Sequence, residues 1–281
     1  MIIIADSGSS KIDWRLLDSS GAIQQAQSPG FNPYYQPLDH LRSSLREVVA
    51  PVARGDVRRI FYYGTGVSSE RNQQLVRSAF LEFFPAAEVA VEWDLLGAAR
   101  ALCGHEPGIA CILGTGSNSC LYDGKEITEQ VANLGWILAD EGSGTSLGKA
   151  LLIDYLRKKM PEKLAAQFYQ RFPFTREEFL EKIYQQEKPS TFLATFSKFI
   201  FQHLKEPYCY QLVYKAFAEF FENNVMKYPG YPGLKVHFVG SIAFYFSDLL
   251  RQVANDKGVV VRNILETPIA GLTLFHQKDI A

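Results

Sequence analysis

At 281 residues the chain is long for one compact domain and ample for two of ordinary size. A hydrophobic content of 47% supplies real cores and excludes a disordered chain. A net charge of -1 leaves no basic field for nucleic acid or for an acidic membrane surface, so the expected partner is a small molecule.

The apolar opening Met1-Ile2-Ile3-Ile4-Ala5 ends at Asp6. It has no basic leader and is too short for a signal peptide or a membrane span, so it reads as a buried first strand over 1–6. A turn of Gly and Ser follows, then strands near 11–18 and 21–28, a helix over 37–50, a strand at 58–63, a helix at 69–84, a strand at 88–92 and a helix at 94–103. The segment Gly104-His105-Glu106-Pro107-Gly108 breaks the pattern.

The order then restarts. An apolar strand at 108–113 runs into GTGSNS, followed by strands at 117–122 and 125–131 and a helix over 145–158. A long helical stretch, about 160–228, is punctuated by Pro161, Pro173, Pro189 and Pro207. Strand 235–240, helix 242–255, strand 258–262 and a last helix after Pro268 close the chain. Strand, Gly turn, strand, strand, then helix–strand alternation therefore occurs twice, which predicts two α/β domains with mixed sheets and a cleft between them. The boundaries read as 1–106 and 107–281, with the 160–228 helices as an insertion in the second; a return of the last helix to the first domain stays open.

Cys103, Cys111, Cys120 and Cys209 show no C-x-x-C spacing, which fits thiols in a reducing, cytoplasmic setting better than a disulfide framework or a zinc site. His40, His105, His203, His237 and His276 are scattered and carry no assignment. Phe168, Tyr169, Phe172 and Phe174, and the stripe Phe217, Phe220 and Phe221, read as core and dimer surface.

Each restart carries chemistry-bearing residues. In Asp6-Ser7-Gly8-Ser9-Ser10-Lys11, small residues let backbone N–H groups approach an anion, hydroxyls add donors and Lys11 adds a point charge, while Asp6 is placed to hold magnesium through water. A plain hairpin turn is the alternative. Gly114-Thr115-Gly116-Ser117-Asn118-Ser119 repeats the same chemistry after the second apolar strand. Neither turn has P-loop spacing, and neither enters a helix as a dinucleotide fingerprint must. Gly64-Thr65-Gly66 also resembles a phosphate turn, but it leads to a helix capped by Ser68 or Ser69 and reads as ordinary capping. Asp94, at a strand end where a helix begins, is either a cap or a general base. Asp140-Glu141-Gly142-Ser143-Gly144 is either an acid-decorated helix start or a sugar ligand beside glycines that admit a nucleotide. Val239-Gly240-Ser241-Ile242-Ala243 is either a tight strand-to-helix turn or an adenine platform.

The set resembles the BadF/BadG/BcrA/BcrD-type ATPases and, within them, the N-acetylglucosamine kinases, part of the superfamily of sugar kinases, heat-shock ATPases and actin. DSGSSK resembles the first phosphate motif, LGTGSNS the second, GWILADEGSG a G-x-x-L-G-D-E-G-S-G segment and VGSIA the adenosine motif, in order over nearly the whole chain. The resemblance implies two actin-like (ribonuclease H-like) domains and ATP-dependent phosphoryl transfer to the 6-hydroxyl of an amino sugar, with magnesium, in a homodimer. It implies Asp6 at the metal. Gly8, Ser9, Ser10, Lys11, Gly114, Thr115, Gly116, Ser117, Gly142 and Gly144 would lie along the triphosphate, and Gly240 and Ser241 under adenine. Asp94 would be the base, with Asn32, Asn118, Gly135 and Asp140 joining it around the sugar. Ser7, Ser10, Ile12 and Ala139 depart from the common pattern; Leu134 stands where the family often has tryptophan, and Trp136 comes two positions later. Other members are ATPase activators of dehydratases with an iron–sulfur cluster, and a non-catalytic nucleotide-binding regulator is a third reading.

Overall fold

The computed structural model describes residues 1–8, 10–53 and 56–277. These residues form two compact units. The first comprises Met1–Glu106, Gly124–Glu126 and the segment from Thr267, and the second comprises Pro107–Asp123 and Ile127–Glu266. The last helix, Ile269–His276, thus packs in the first unit, where a Cβ at Gly271 would meet the carbonyl oxygen of Ala101 at 2.4 Å.

In the first unit the strands are β1 (Ile2–Ser7), β2 (Lys11–Leu17), β3 (Ile23–Pro29), β4 (Arg59–Gly64) and β5 (Glu88–Trp93), in the order β3-β2-β1-β4-β5. The first three are antiparallel and the last two parallel to β1. Period-2 alternation assigns the two faces. Ile3, Ala5, Ile60 and Tyr62 meet Leu41, Val76 and Phe80 of the helices Asp39–Ser44 and Glu70–Phe83. Ile2, Ile4 and Tyr63 meet Ile269 and Leu272. The helix expected over 37–50 is six α-helical residues followed by a π-turn at Leu45–Val49.

The second unit repeats this topology. Its strands are β6 (Gly108–Leu113), β7 (Ser117–Tyr122), β8 (Ile127–Glu129), β9 (Val236–Val239) and β10 (Val261–Leu265), in the order β10-β9-β6-β7-β8. Ile109, Cys111 and Leu113 pack against the helices Gly144–Leu156, Pro207–Asn223 and Ser247–Asp256. The fold is therefore α/β, with two mixed sheets flanked by helices. Five helices occupy the stretch after residue 160, and their prolines stand at N-cap Pro161 or at first positions Pro189 and Pro207, where a missing N–H costs nothing. The last strand lies at Val261–Leu265, three residues later than the expected 258–262. Val259 is buried in the core as a connector, and the chain begins pairing with β9 only at Val261. All four cysteines are buried. Among the described residues no helix is long and apolar enough to cross a membrane.

Candidate active site

The C-terminal ends of β1, β4 and β5 gather the polar residues of the first unit. Asp6 and Asp13 face each other across the β1–β2 register. Lys11 lies two residues before Asp13 on the same strand face, and its Nζ is 2.8 Å from Asp13 Oδ2. Gln27 Nε2 donates to the other Asp13 oxygen at 2.6 Å. Asp6 is raised to about 7, first by burial and then by the negative charges of Asp13 and Asp94, with Lys11 opposing. A cluster of this kind is electrostatically suited to a cation. Among the described residues no three His, Cys, Asp or Glu side chains gather closely enough to hold a metal alone, and magnesium, which keeps several waters and binds through one or two carboxylates plus phosphates, needs no such cage. The turn itself is tight: Gly8 N–H donates to the Lys11 carbonyl at 3.0 Å, and Gly30 N–H to Ser10 at 3.2 Å. Ser9 lies outside the described residues.

Asp94 is the first residue of the helix Asp94–Cys103, after Trp93 as N-cap. Its Oδ1 accepts from Leu95 N–H at 2.9 Å. Burial raises it to about 6, while backbone N–H groups and the Thr65 hydroxyl hold it down. Asn32 is nearly buried, with its backbone N–H on Gln36 Oε1 at 2.8 Å and its Oδ1 accepting from Tyr34 N–H at 3.0 Å.

In the second unit the turn Gly114–Gly116 is clamped from behind. Gly144 N–H donates to the Gly114 carbonyl at 2.8 Å, and Thr145 N–H and hydroxyl both donate to the Thr115 carbonyl at 3.0 and 2.7 Å. The start of helix Gly144–Leu156 thus spends these N–H groups on the turn. Ser143 caps it, accepting from Ser146 N–H. Asp140 has φ +66°, a left-handed conformation that aspartate tolerates better than most residues. Its Oδ1 accepts from Ser117 N–H at 3.2 Å, and a Cβ at Gly116 would lie 3.0 Å from Oδ2. The carboxyl is shifted upward by burial, opposed by that Ser117 bond.

A polar cavity of about 140 Å³ opens beside Asp140, lined by Ser117, Asn118, Asn133, Leu134, Glu141 and Asn223 among others. Asn133 Nδ2 donates to the Ser117 carbonyl at 3.1 Å, and its Oδ1 accepts from Gly135 N–H at 2.9 Å. Gly135 starts a short helix, Gly135–Leu138, at φ +72°. A second, mostly apolar cavity of about 340 Å³ lies at Ser241, lined by Lys198, Phe201, Ile242, Tyr245 and Phe246. Gly240 precedes it at φ +120°, where a Cβ would fall 2.3 Å from the Leu113 carbonyl oxygen.

Among solved structures, the chain is similar over its whole length to a candidate N-acetylglucosamine kinase from Porphyromonas gingivalis, at 39% identity, TM-score 0.93 and 100% coverage of both chains. The chain belongs to this N-acetylglucosamine kinase-like family. A candidate N-acetylglucosamine kinase from Chromobacterium violaceum is similar in fold at 17% identity and TM-score 0.72, over 98% of each chain. So is a ROK family glucokinase from Streptomyces griseus, solved with glucose and AMPPNP, at 13% identity and TM-score 0.55, over 99% of this chain and 98% of that one. The architecture is therefore the actin-like one. No family model matches the chain, and no curated protein matches it by sequence.

In this kinase-like chain, β1, β2 and β5 bring together Asp6, Lys11 and Asp94. The second unit brings together Gly116, Ser117, Asn118 and Asp140. Gly142 and Gly144 stand apart in kind: Gly142, at φ +73°, packs near Phe217 and Phe220, and Gly144 donates its N–H to the turn and packs near Ala194 and Ile242. Sequence reasoning missed Thr65 and Gly66. Ser69 does cap the helix Glu70–Phe83, as expected, yet Thr65 also bonds the Asp94 carboxylate, and Gly66 lies against Asn32. It also missed Asp13, visible only as the i+2 partner of Lys11, and Asn133. Of the two aromatic-slot candidates, Leu134 lines the polar cavity, while Trp136 is half-buried against the core and its carbonyl accepts from Lys149 Nζ at 3.0 Å.

Proposed function

We propose that this protein is a cytoplasmic ATP-dependent sugar kinase that phosphorylates the 6-hydroxyl of an amino sugar, N-acetylglucosamine first among the candidates. The observation that carries the reading is Asp94: a half-buried carboxylate raised to about 6, on a helix start, beside the cation-suited Asp6 cluster, in a chain 39% identical to a candidate N-acetylglucosamine kinase. A base poised near neutral pH suits removal of a hydroxyl proton.

Phosphoryl transfer passes through a loose transition state, so positioning and charge neutralisation do most of the work. Asp6 would hold magnesium through water, and the metal would neutralise charge on the triphosphate. Gly8, Ser9, Ser10 and Lys11 in the first turn and Gly114, Thr115, Gly116 and Ser117 in the second would serve its oxygens with N–H groups and hydroxyls. Lys11 is held by Asp13 at 2.8 Å and would be shared with a phosphate. Gly142 and Gly144 shape the support of the second turn. Ser241, with Gly240 just before it, lines the apolar cavity, whose Phe201 and Tyr245 rings suit a flat base. Asn32, Asn118, Gly135 and Asp140 would orient the sugar hydroxyls, and Asp94 would take the proton of the attacking one as its oxygen bonds to the γ-phosphorus and the bond from that phosphorus to ADP breaks, releasing ADP.

An iron–sulfur dehydratase activator is disfavoured by the cysteines. All four are buried, on a helix end, two strands and a second helix, so none is offered at a surface where two subunits share a cluster. The homodimer is likewise proposed from the resemblance. A coupled ADP-release screen over hexoses and amino sugars tests reaction class and acceptor together. Turnover with N-acetylglucosamine above glucose and N-acetylmuramic acid supports the reading, and ATP hydrolysis indifferent to every sugar refutes it.

A further inference from the structure

The first unit buries a polar group that the proposed chemistry leaves unused. Tyr62 of β4 is fully buried, and its hydroxyl meets no hydrogen-bond partner in full geometry among the described residues. A buried donor without a partner is destabilising, so its retention calls for a use. The ring runs along β4 toward the end of the strand: a Cβ at Gly64 would meet Tyr62 Cε1 at 2.4 Å and the hydroxyl oxygen at 2.9 Å, so glycine at 64 is what gives the ring room. Gly64 is the register partner of Ser7. The Tyr62 hydroxyl thus ends level with Ser7, one residue beyond Asp6.

Ser7 is also fully buried, and its hydroxyl donates to the Phe31 carbonyl at 3.2 Å, next to Asn32. With its proton committed, Ser7 Oγ still has acceptor capacity. Ser7 lies close enough to Tyr62 to act on the phenol as a hydrogen-bonding neighbour, lowering its pKa against burial, yet the two hydroxyls do not meet full hydrogen-bond geometry. A buried donor and a buried acceptor therefore stand side by side, unjoined, under the strand end that carries Asp6.

We propose that Tyr62 is a positioning residue whose hydroxyl donates to Ser7 Oγ when substrates are bound, completing a relay from Tyr62 through Ser7 to the Phe31 carbonyl. The relay ties the strand end that carries Asp6 and enters the first turn to the loop that carries Asn32, so the nucleotide and sugar ligands of this unit are held in one register. The inference rests on the sugar-kinase reading.

The test is a double-mutant cycle of Tyr62→Phe and Ser7→Ala, read by kcat, by KM for sugar and for ATP, and by the Tm of the protein without ligands. Phenylalanine keeps the ring and removes only the unpaired hydroxyl, so Tm is expected to stay level or rise. Turnover is expected to fall about threefold to tenfold, the factor for one buried hydrogen bond. With Ser7→Ala already in place, adding Tyr62→Phe is expected to have little further effect. A Tyr62→Phe variant with wild-type kinetics overturns the relay, as does an equal effect of Tyr62→Phe in both backgrounds. A lowered Tm also overturns it, because the hydroxyl is then bonded in the empty protein. A wild type that phosphorylates no sugar removes the function and the relay together, whereas an active wild type with an indifferent Tyr62→Phe removes the relay alone.

Discussion

The carboxamide of Asn32 occupies the space that a side chain at Gly66 would need: a Cβ there would lie 2.3 Å from Asn32 Oδ1. Gly66 also sits at φ +77° and is braced by Asn72 Nδ2, which donates to its carbonyl at 2.7 Å. The loop before helix Glu70–Phe83 therefore sets the position of a residue on a different element, the loop after β3.

Gly66→Ala is expected to displace the Asn32 amide and raise KM for the amino sugar by about tenfold, with a stability loss of about 1–2 kcal/mol from the left-handed backbone. Steady-state kinetics and a thermal melt check both. An unchanged sugar KM would mean that Asn32 does not contact the sugar.

Asp140 combines a left-handed backbone with a carboxylate that accepts from Ser117 N–H. Asparagine tolerates that conformation and keeps the accepting oxygen, whereas alanine does neither. Asp140→Ala is expected to lose about 1–3 kcal/mol, and Asp140→Asn much less, while both raise sugar KM. Chemical denaturation separates the two variants.

At Gly240 a Cβ would fall 2.3 Å from the Leu113 carbonyl oxygen, on a backbone at φ +120°. Gly240→Ala is expected to cost about 1–3 kcal/mol or more in stability and to weaken nucleotide binding, measured by melts with and without ADP. An ADP-induced stabilisation as large as that of wild type would separate the base site from this turn.

A base must be ionised to accept a proton. Burial raises Asp94 to about 6, so its carboxylate form is complete well above that pH and lost as pH falls through it. At saturating magnesium, which keeps Asp6 ionised, kcat/KM is expected to fall about tenfold per unit below pH about 6. A profile level down to pH 5 would contradict this.

The fold was largely legible in the residues. The strands 108–113 and 117–122 and the helix 94–103 carry apolar patterns bounded by Gly, and the structure has them at those limits. The doubled element order foretold two sheets of the same topology. What stayed hidden was tertiary. Capping by Ser68 or Ser69 is the preferred account of the Gly64-Thr65-Gly66 turn, so nothing in the sequence pointed across to Asp94 and Asn32. Val259 gave a strand signal because it is buried, although it belongs to a connector. Reading Lys11 as a point charge for an anion leaves Asp13 unweighed, which the period of two places on the same strand face.

The measurement that bears most directly on the central claim is coupled ADP release with N-acetylglucosamine, comparing wild type with Asp94→Asn. The substitution keeps shape and hydrogen-bonding size but removes the base, so ATP and sugar affinities should persist while kcat falls about a hundred- to ten-thousand-fold. Turnover of Asp94→Asn close to wild type would show that the proton leaves by another route and that the carboxylate at the head of this helix is a structural group.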